Sequence, residues 1–497
     1  METIYNILDW IDDNILWGIP MIILILISGI LLSVRTKFFQ VRKFGDSMKH
    51  AFNGTGKHVK GKGKADGKSS ISAFEAFSTA ISGTVGTGNI VGVTTAILAG
   101  GPGAVLWMWV SAFFGCVTKY SEITLGLFYR KKDKNGEYVG GPMYYIEKGT
   151  GQKWLAVLFA IFAILAAVGM GSVQADAIQE TWKNAFSIPT WVTALIIAFF
   201  TALVVIGGIK RIGKVTSFLV PFMILLFLVL AIVMVCINIT AVPVAFASIF
   251  TSAFTTKSMV GGFMGYGIAT AMRYGFARGI FSNEAGLGSS PIAHSMSATK
   301  EPVEQGLWGI FEVFVDTFVI CTLTALFVLT SGMDGTGKNG AGFAMSCFTN
   351  VYGTFGKIAF NVILPLLAYS TILAWALYGA KASEYLFPKH EKGAKTVFGI
   401  LYITLLVGVA LITFFFGDNL GSKFVWLISD MTNALMAIPN LIGLVLLSGT
   451  LIKVTKNYFD RKKDPLIKPL VSAYGDESDF ISDENSLGEK VVDENAG

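Results

Sequence analysis

The chain has 497 residues, of which 53% are hydrophobic and 14% charged, and its mean hydropathy is +0.61. This composition excludes an ordinary water-soluble protein and predicts an integral membrane protein. The net charge of +6 does not indicate a nucleic-acid partner, because the basic residues collect in alternate loops. The four histidines and four cysteines are scattered and form no metal or catalytic constellation, which argues against an enzyme and against a bound cofactor.

Apolar segments of about 20 residues, the length that crosses a bilayer, recur along almost the whole chain. We predict eleven membrane spans, at residues 15–34, 71–98, 102–129, 153–182, 189–209, 215–239, 259–299 with an interruption, 305–330, 357–386, 396–416 and 422–452. Acidic rather than basic residues precede the first span, so we expect it to persist instead of being cleaved as a signal peptide.

Loop charges predict the orientation of the chain in the membrane. Basic residues concentrate after the first, third, fifth and ninth spans and in the tail, whereas the loops after the second and fourth spans are nearly neutral. Because basic loops stay cytoplasmic, we expect the N-terminus outside and the C-terminus inside. An odd number of spans requires the same topology. We therefore expect a multi-pass protein of the plasma membrane.

The second predicted span is interrupted at Ser82–Asn89, whose sequence is SGTVGTGN. Glycines weaken a helix, and lipid normally demands an unbroken one. Broken backbone at membrane depth persists only where it is buried in protein or lines a cavity, and there its free N–H and C=O groups bind ligands. Secondary transporters build their substrate and ion sites in this way.

A second interruption lies at residues 281–290, with the sequence FSNEAGLGSS. Two broken spans five helices apart predict an inverted repeat with one central site. We therefore expect an all-α membrane protein with two five-helix repeats. The predicted parts are an extra N-terminal helix (1–34), a basic cytoplasmic loop (35–70), the first repeat (71–239), the second repeat (259–452) and a disordered cytoplasmic tail (453–497).

The segment GGPGAVLWMWVSAFFG, residues 100–115, closely resembles the signature of the alanine or glycine:cation symporter family, although Leu106 stands where phenylalanine is usual. Both interrupted segments match that family too, and the resemblance covers nearly the whole chain except its acidic tail. It implies a member of the APC superfamily with the leucine-transporter fold. It also implies symport of small amino acids, chiefly alanine and glycine, with Na⁺.

Free backbone groups at the two breaks suggest how a zwitterionic substrate binds. A half-helix that starts after a break presents N–H groups and a positive dipole, which suit a carboxylate. We assign the Thr87 and Gly88 amides to this role. The Thr84 and Phe281 carbonyls and Ser282 are expected to bind the ammonium group. Besides this substrate, the expected partners of the protein are Na⁺ and the lipid bilayer.

The resemblance adds Gln174 as a polar contact in the wall of the substrate site. A hydrogen bond between helices is the alternative role for this side chain. Phe281, Met170 and Trp375 are expected to leave room for only a small side chain, although aromatic residues in a membrane bundle more often serve packing alone.

Alignment with the leucine-transporter fold assigns five Na⁺ ligands, namely the carbonyls of Ser82, Val85 and Leu367 and the hydroxyls of Ser370 and Thr371. Na⁺ needs a cluster of oxygens, and the last three residues share one helical face. Hydroxyls in membrane helices otherwise bond their own backbone. None of these ligands titrates near neutral pH, which favours Na⁺ over H⁺. Coupling to H⁺ and a non-transporting sensor remain alternatives.

Several polar residues inside the spans have two candidate roles. Arg278 and Asp316 are expected to form either a gate or a structural ion pair. Asn89 is either a ligand of a second ion or a cap on its half-helix. Lys119 and Glu122, three residues apart, are expected either to form a local pair or to extend their charged ends to the membrane surface.

Overall fold

In the computed structural model, residues 2–59, 71–134, 136–254, 267–333 and 335–474 are described, and nearly all of them are helical. The first twelve helices are α1 (Glu2–Ile11), α2 (Ile19–Arg35), α3 (Phe39–Arg42), α4 (Phe44–Val59), α5 (Ala73–Thr84), α6 (Val91–Gly100), α7 (Ala104–Phe128), α8 (Pro142–Thr150), α9 (Lys153–Phe186), α10 (Thr190–Val205), α11 (Gly208–Ile237) and α12 (Val242–Phe254). A two-stranded antiparallel hairpin, β1 (Lys131–Lys132) and β2 (Tyr138–Val139), precedes α8.

The second half of the chain is also helical. Its helices are α13 (Ile268–Asn283), α14 (Ser290–His294), α15 (Pro302–Val313), α16 (Thr322–Thr330), α17 (Gly340–Leu386), α18 (Glu391–Phe416) and α19 (Asp418–Arg461). Short π-helical segments lie at Asp12–Leu16, between α1 and α2, and at Phe314–Cys321, between α15 and α16.

The predicted all-α membrane architecture is confirmed. Seven helical segments of the described chain are long and apolar enough to cross a membrane, and the α5–α6 pair, bent by 55°, adds an eighth. The predicted spans coincide with α2, α5–α6, α7, α9, α10, α11, α13–α14, α15–α16, the later part of α17, α18 and α19. Residues 259–266 of the seventh predicted span lie outside the described residues.

Some helices were not predicted, because hydropathy alone does not reveal them. Helix α4 lies inside the predicted basic loop, where apolar residues alternate with polar ones. Helix α12 has 13 residues, too few to span a bilayer. Helix α17 begins at Gly340 rather than near residue 357 and is kinked at Gly353, whose φ is 60°.

The tail is ordered further than expected. Helix α19 continues to Arg461, whose guanidinium pairs with Glu301 at 2.8 Å. Beyond it the chain folds back, and the amide of Ala473 donates to the carbonyl of Phe128 at 2.9 Å. The expectation of disorder from residue 453 is therefore wrong as far as Tyr474, and the rest of the tail lies outside the described residues.

The two breaks have different backbone geometry. Helix α5 starts at a capping box in which Ser72 and Glu75 satisfy each other's backbone amides, and it stops at Thr84. At the second break, Glu284 (φ 54°), Gly286 (φ 98°) and Gly288 (φ 79°) take left-handed conformations, which reverse the chain between α13 and α14.

Buried polar side chains of α7 hold the second break in place. Lys119 donates to the Asn283 carbonyl at 2.8 Å and pairs with Glu312 at 3.1 Å, and both side chains are fully buried. Glu122 accepts from the amide of Gly286 at 2.9 Å and from Asn440 at 2.6 Å. The predicted local pair between Lys119 and Glu122 is therefore wrong, because each side chain binds groups that are distant in sequence.

We predict that Lys119→Met destabilises the protein by about 3–5 kcal/mol, because the buried Glu312 loses its lysine counter-charge and is left with its hydrogen bonds to Ser290 and His294. The matched control is Lys119→Met combined with Glu312→Leu, which removes both charges and should recover most of the loss. Thermal unfolding of the purified variants in one detergent measures both effects. A double variant as unstable as Lys119→Met alone would contradict the pairing.

Candidate functional site

The first break is a short, fully buried turn that closes on itself. The side chain of Asn89 accepts a hydrogen bond from the amide of Gly86 at 2.9 Å, so Asn89 caps the turn. Thr87–Asn89 form one turn of 3₁₀-helix before α6 begins. Gly86 has a φ of −135°, which other residues also adopt, so backbone conformation does not require glycine there.

Space does require glycine at position 86. A methyl group on Gly86 would overlap the Thr371 hydroxyl and would lie 3.1 Å from Oε1 of Gln174. The broken segment therefore approaches α17 and α9 as closely as a bare backbone allows.

The residues proposed as Na⁺ ligands come together at this close approach. The Thr371 hydroxyl lies 2.8 Å from the Ser82 carbonyl and 3.2 Å from the Leu367 carbonyl. The Ser370 hydroxyl donates to the Leu367 carbonyl at 2.9 Å, and all of these residues, with Val85, are buried. These hydrogen bonds also agree with the alternative role, in which the two hydroxyls only bond backbone carbonyls. The Na⁺-ligand role therefore stays a prediction.

The residues proposed to bind substrate also lie around the break. The amide of Thr87 donates to Oε1 of Gln174 at 3.0 Å. A methyl group on Gly88 would lie 3.0 Å from the ring of Phe281 and 3.3 Å from Cα of Ser282, so the two breaks pack against each other. Gln174 thus makes the hydrogen bond between helices that was its alternative role. It bonds the Thr87 amide, which is also the group predicted to bind the substrate carboxylate. The hydroxyl of Thr84 donates to the Ile81 carbonyl at 3.0 Å.

Asp316 connects both breaks, which the sequence did not suggest. Its carboxylate accepts from Asn89 at 2.6 Å, from Ser282 at 2.9 Å and from Thr317 at 2.8 Å. It lies in the π-helical segment Phe314–Cys321, and such irregular turns are frequent at functional sites. The sequence signal for this contact is the pair of polar residues at the breaks, Asn89 and Ser282, because a buried carboxylate needs hydrogen-bond donors.

Arg278 and Asp316 do not form the predicted pair. Arg278 instead makes a two-pronged ion pair with Asp430 of α19, at 3.0 and 2.6 Å. The guanidinium of Arg278 also lies 5.6 Å from the ring centre of Phe281 and 5.5 Å from that of Trp426. The two rings stack on each other with centres 5.5 Å apart. We call these four residues the gate layer.

A cavity of about 800 Å³, which we call the vestibule, opens on one side of the gate layer. Its lining includes Tyr5, Asp12, Asp176, Lys338, Trp426 and Asp430. Phe281 contacts Gly88 of the first break and stacks on Trp426, which lines this polar cavity.

Comparison with known proteins gives consistent matches along the chain. The model of the sodium:alanine symporter family matches residues 1–471. An uncharacterized transporter of Haemophilus influenzae is 42% identical, covering 93% of this chain and 97% of that protein. The sodium/alanine symporter AgcS of Methanococcus maripaludis is 40% identical, covering 91% of this chain and 97% of that protein.

Solved structures show the same architecture. The structure of MhsT in complex with L-phenylalanine superposes with a TM-score of 0.53 at 14% identity, covering 78% of this chain and 99% of that chain. The predicted leucine-transporter fold is confirmed by this likeness.

We predict that Gly86→Ala lowers the stability of the protein by about 1–3 kcal/mol, because the added methyl group has no space between α17 and α9. Gly92→Ala in the same broken span is the matched control, since its methyl group meets its nearest side-chain atom at 3.9 Å. Thermal unfolding without added substrate measures the difference. Equal stabilities of the two variants would contradict the close approach at Gly86.

Proposed function

The chain belongs to the sodium:alanine symporter family, and we propose that it carries alanine, glycine or a similarly small neutral amino acid together with Na⁺. A symporter is a transporter and not an enzyme, so the chain acts as a multi-pass membrane transporter. By the charges of its loops, we place its N-terminus outside and its C-terminus in the cytoplasm. The vestibule, which residues of α1 line, then faces outward.

The observation that carries this proposal is the group of oxygens around Thr371. Na⁺ is a hard cation that prefers several oxygen ligands, and the Thr371 hydroxyl lies within hydrogen-bond distance of both the Ser82 and the Leu367 carbonyl oxygens. Ser370 and the carbonyl of Val85 complete the proposed set. Na⁺ bound among these oxygens joins the end of α5 to α17, so its binding stabilises one arrangement of the broken helix.

We infer that the substrate carboxylate replaces Gln174 at the amide of Thr87 and that the amide of Gly88 provides a second donor. The ammonium group then lies against the carbonyls of Thr84 and Phe281 and the hydroxyl of Ser282. Asp316, which holds that hydroxyl at 2.9 Å, contributes a negative charge that favours a cationic group. Because Gly88 packs closely against the ring of Phe281, little space remains there, which favours a substrate with a small side chain.

The gate layer supplies the outer barrier of an alternating-access cycle. Separation of Arg278 from Asp430, with movement of Phe281 from Trp426, opens the substrate site to the vestibule. The driving force is adequate, because one charge moved through 100 mV is worth about 2.3 kcal/mol before any concentration gradient is added.

Proton coupling is the second candidate, and Asp316 is the observation that favours it. This fully buried carboxyl group receives hydrogen bonds only from neutral side chains among the bonds found in the described chain. A buried carboxyl group whose hydrogen bonds come from neutral donors is a natural proton carrier.

We predict that Thr371→Ala raises the Na⁺ concentration for half-maximal alanine uptake by about tenfold or more, because one ligand worth about 1.4 kcal/mol is removed. Thr371→Ser keeps the hydroxyl and is the matched control. Uptake of ¹⁴C-alanine by proteoliposomes under an imposed Na⁺ gradient measures both. Uptake that follows an imposed pH step and ignores Na⁺ would discard the Na⁺ site and favour Asp316 as a proton carrier.

A second variant tests the substrate site. We predict that Gln174→Glu weakens alanine binding by about tenfold or more, because a carboxylate beside the Thr87 amide repels the substrate carboxylate and competes with it for that donor. Gln174→Ala removes the competing oxygen without adding charge and should weaken binding much less. Equilibrium binding of ³H-alanine in saturating Na⁺ measures the contrast. Equal affinities of the two variants would place the carboxylate elsewhere.

A further inference from the structure

The N-terminal helix lies outside the two repeats, and the proposed transport cycle leaves it without a role. Its face with Ile4, Ile7 and Trp10 is exposed, as expected for a surface in contact with lipid. Its opposite face places Tyr5 and Asp9 in the lining of the vestibule. Helix α1 is therefore a wall of the cavity that ends at the gate layer.

The segment after α1 is attached to that gate layer. The indole of Trp17 donates to the backbone carbonyl of Asp430 at 3.0 Å. Asp13 pairs with Arg273, on the helix that carries Arg278, at 2.5 Å. Asp12 lies directly before Asp13 in the sequence and starts the π-helical turn that joins α1 to α2.

Two buried polar atoms at this junction have no hydrogen-bond partner among the residues that the structure describes. Arg278 uses Nη1 and Nη2 for Asp430, whereas its Nε is unpartnered. Asp12 is 6% exposed, and its Oδ1 is also unpartnered. Both residues line the vestibule. The Asp12 carboxylate is attracted by the charge of Arg278 and repelled by that of Asp430. A free donor of the gate arginine and a free carboxylate oxygen thus belong to the same small group of charges.

Opening the gate would separate the buried Arg278 from its counter-charge, and Asp12 is placed to compensate for this loss. When Asp430 moves away with α19, the guanidinium of Arg278 is left largely buried, and a buried charge without a counter-charge is strongly unfavourable. A second carboxylate that stays beside Arg278 removes most of this penalty. The barrier between closed and open states then falls.

We propose that Asp12 is the alternative partner of Arg278, which exchanges Asp430 for Asp12 as the outer gate opens. Asp12 is thus a positioning residue for transport and does not contact the substrate. The inference rests on the proposed function only for the meaning of the open state. The pairing of Asp12 with Arg278 is tested on the purified protein, without a transport assay.

The first experiment is a double-mutant cycle on thermal stability with Asp12→Asn, Asp430→Asn and the double variant. If Asp12 takes over Arg278 when the charge of Asp430 is absent, the double variant loses more stability than the sum of the single losses. Asp13→Asn in place of Asp12→Asn is the matched control, because Asp13 pairs with Arg273. Additive losses from Asp12→Asn and Asp430→Asn would overturn the proposal, whether or not the protein transports alanine.

The second experiment measures alanine counterflow and equilibrium alanine binding for the same variants. Asp12→Asn should slow counterflow by about fivefold or more while changing alanine affinity less than about twofold, because the residue acts on the gate and not on the bound substrate. Asp12→Glu should restore the rate, and Asp13→Asn should leave it within about twofold of the unsubstituted protein.

The outcomes separate the two claims. Counterflow by Asp12→Asn at the rate of the unsubstituted protein would overturn the role of Asp12 and leave Na⁺-coupled symport standing. Counterflow that the unsubstituted protein shows without any dependence on Na⁺ would overturn the proposed coupling. The stability cycle would then decide the exchange of partners independently.

Discussion

Backbone that is not hydrogen-bonded within a helix cannot face lipid, and this constraint governs the whole molecule. Helices α5 and α13 both stop inside the protein, so the freed groups must be enclosed by neighbours. Enclosure brings α9, α15 and α17 against the breaks, and it places oxygens and amides where a zwitterion and a cation can use them. The site is thus a consequence of how the broken helices are stabilised.

The groups that enclose the breaks are of two kinds. Charged side chains hold the second break, where Lys119 joins the Asn283 carbonyl to Glu312 in a fully buried pair. Neutral groups bond the backbone of the first, where Thr371 and Gln174 contact it on each side of Gly86, and the Asp316 carboxylate reaches this break through the side chain of Asn89. Neutral partners are exchanged at low cost, because each bond contributes little net free energy. The first break is therefore the better place for ligands that bind and leave.

Much of this arrangement could be predicted from the sequence. The spans followed from hydropathy, and both breaks followed from glycines in apolar surroundings, because these signals are local. The partner of Arg278 did not follow, since Asp430 lies 152 residues away and many charges were available. The same holds for Glu312 as the partner of Lys119. Helix α4 was missed because an amphipathic helix at a surface lacks the long apolar run that marks a span.

We propose that alanine and Na⁺ move together through the site at the first break. The most direct test sets opposed gradients of Na⁺ and alanine across proteoliposomes and measures net alanine flux as the Na⁺ gradient is varied. If the two fluxes are coupled, the alanine flux reverses direction once the Na⁺ gradient outweighs the alanine gradient, so that alanine moves up its own gradient. Alanine that always flows down its own gradient, whatever the Na⁺ gradient, would contradict this proposal.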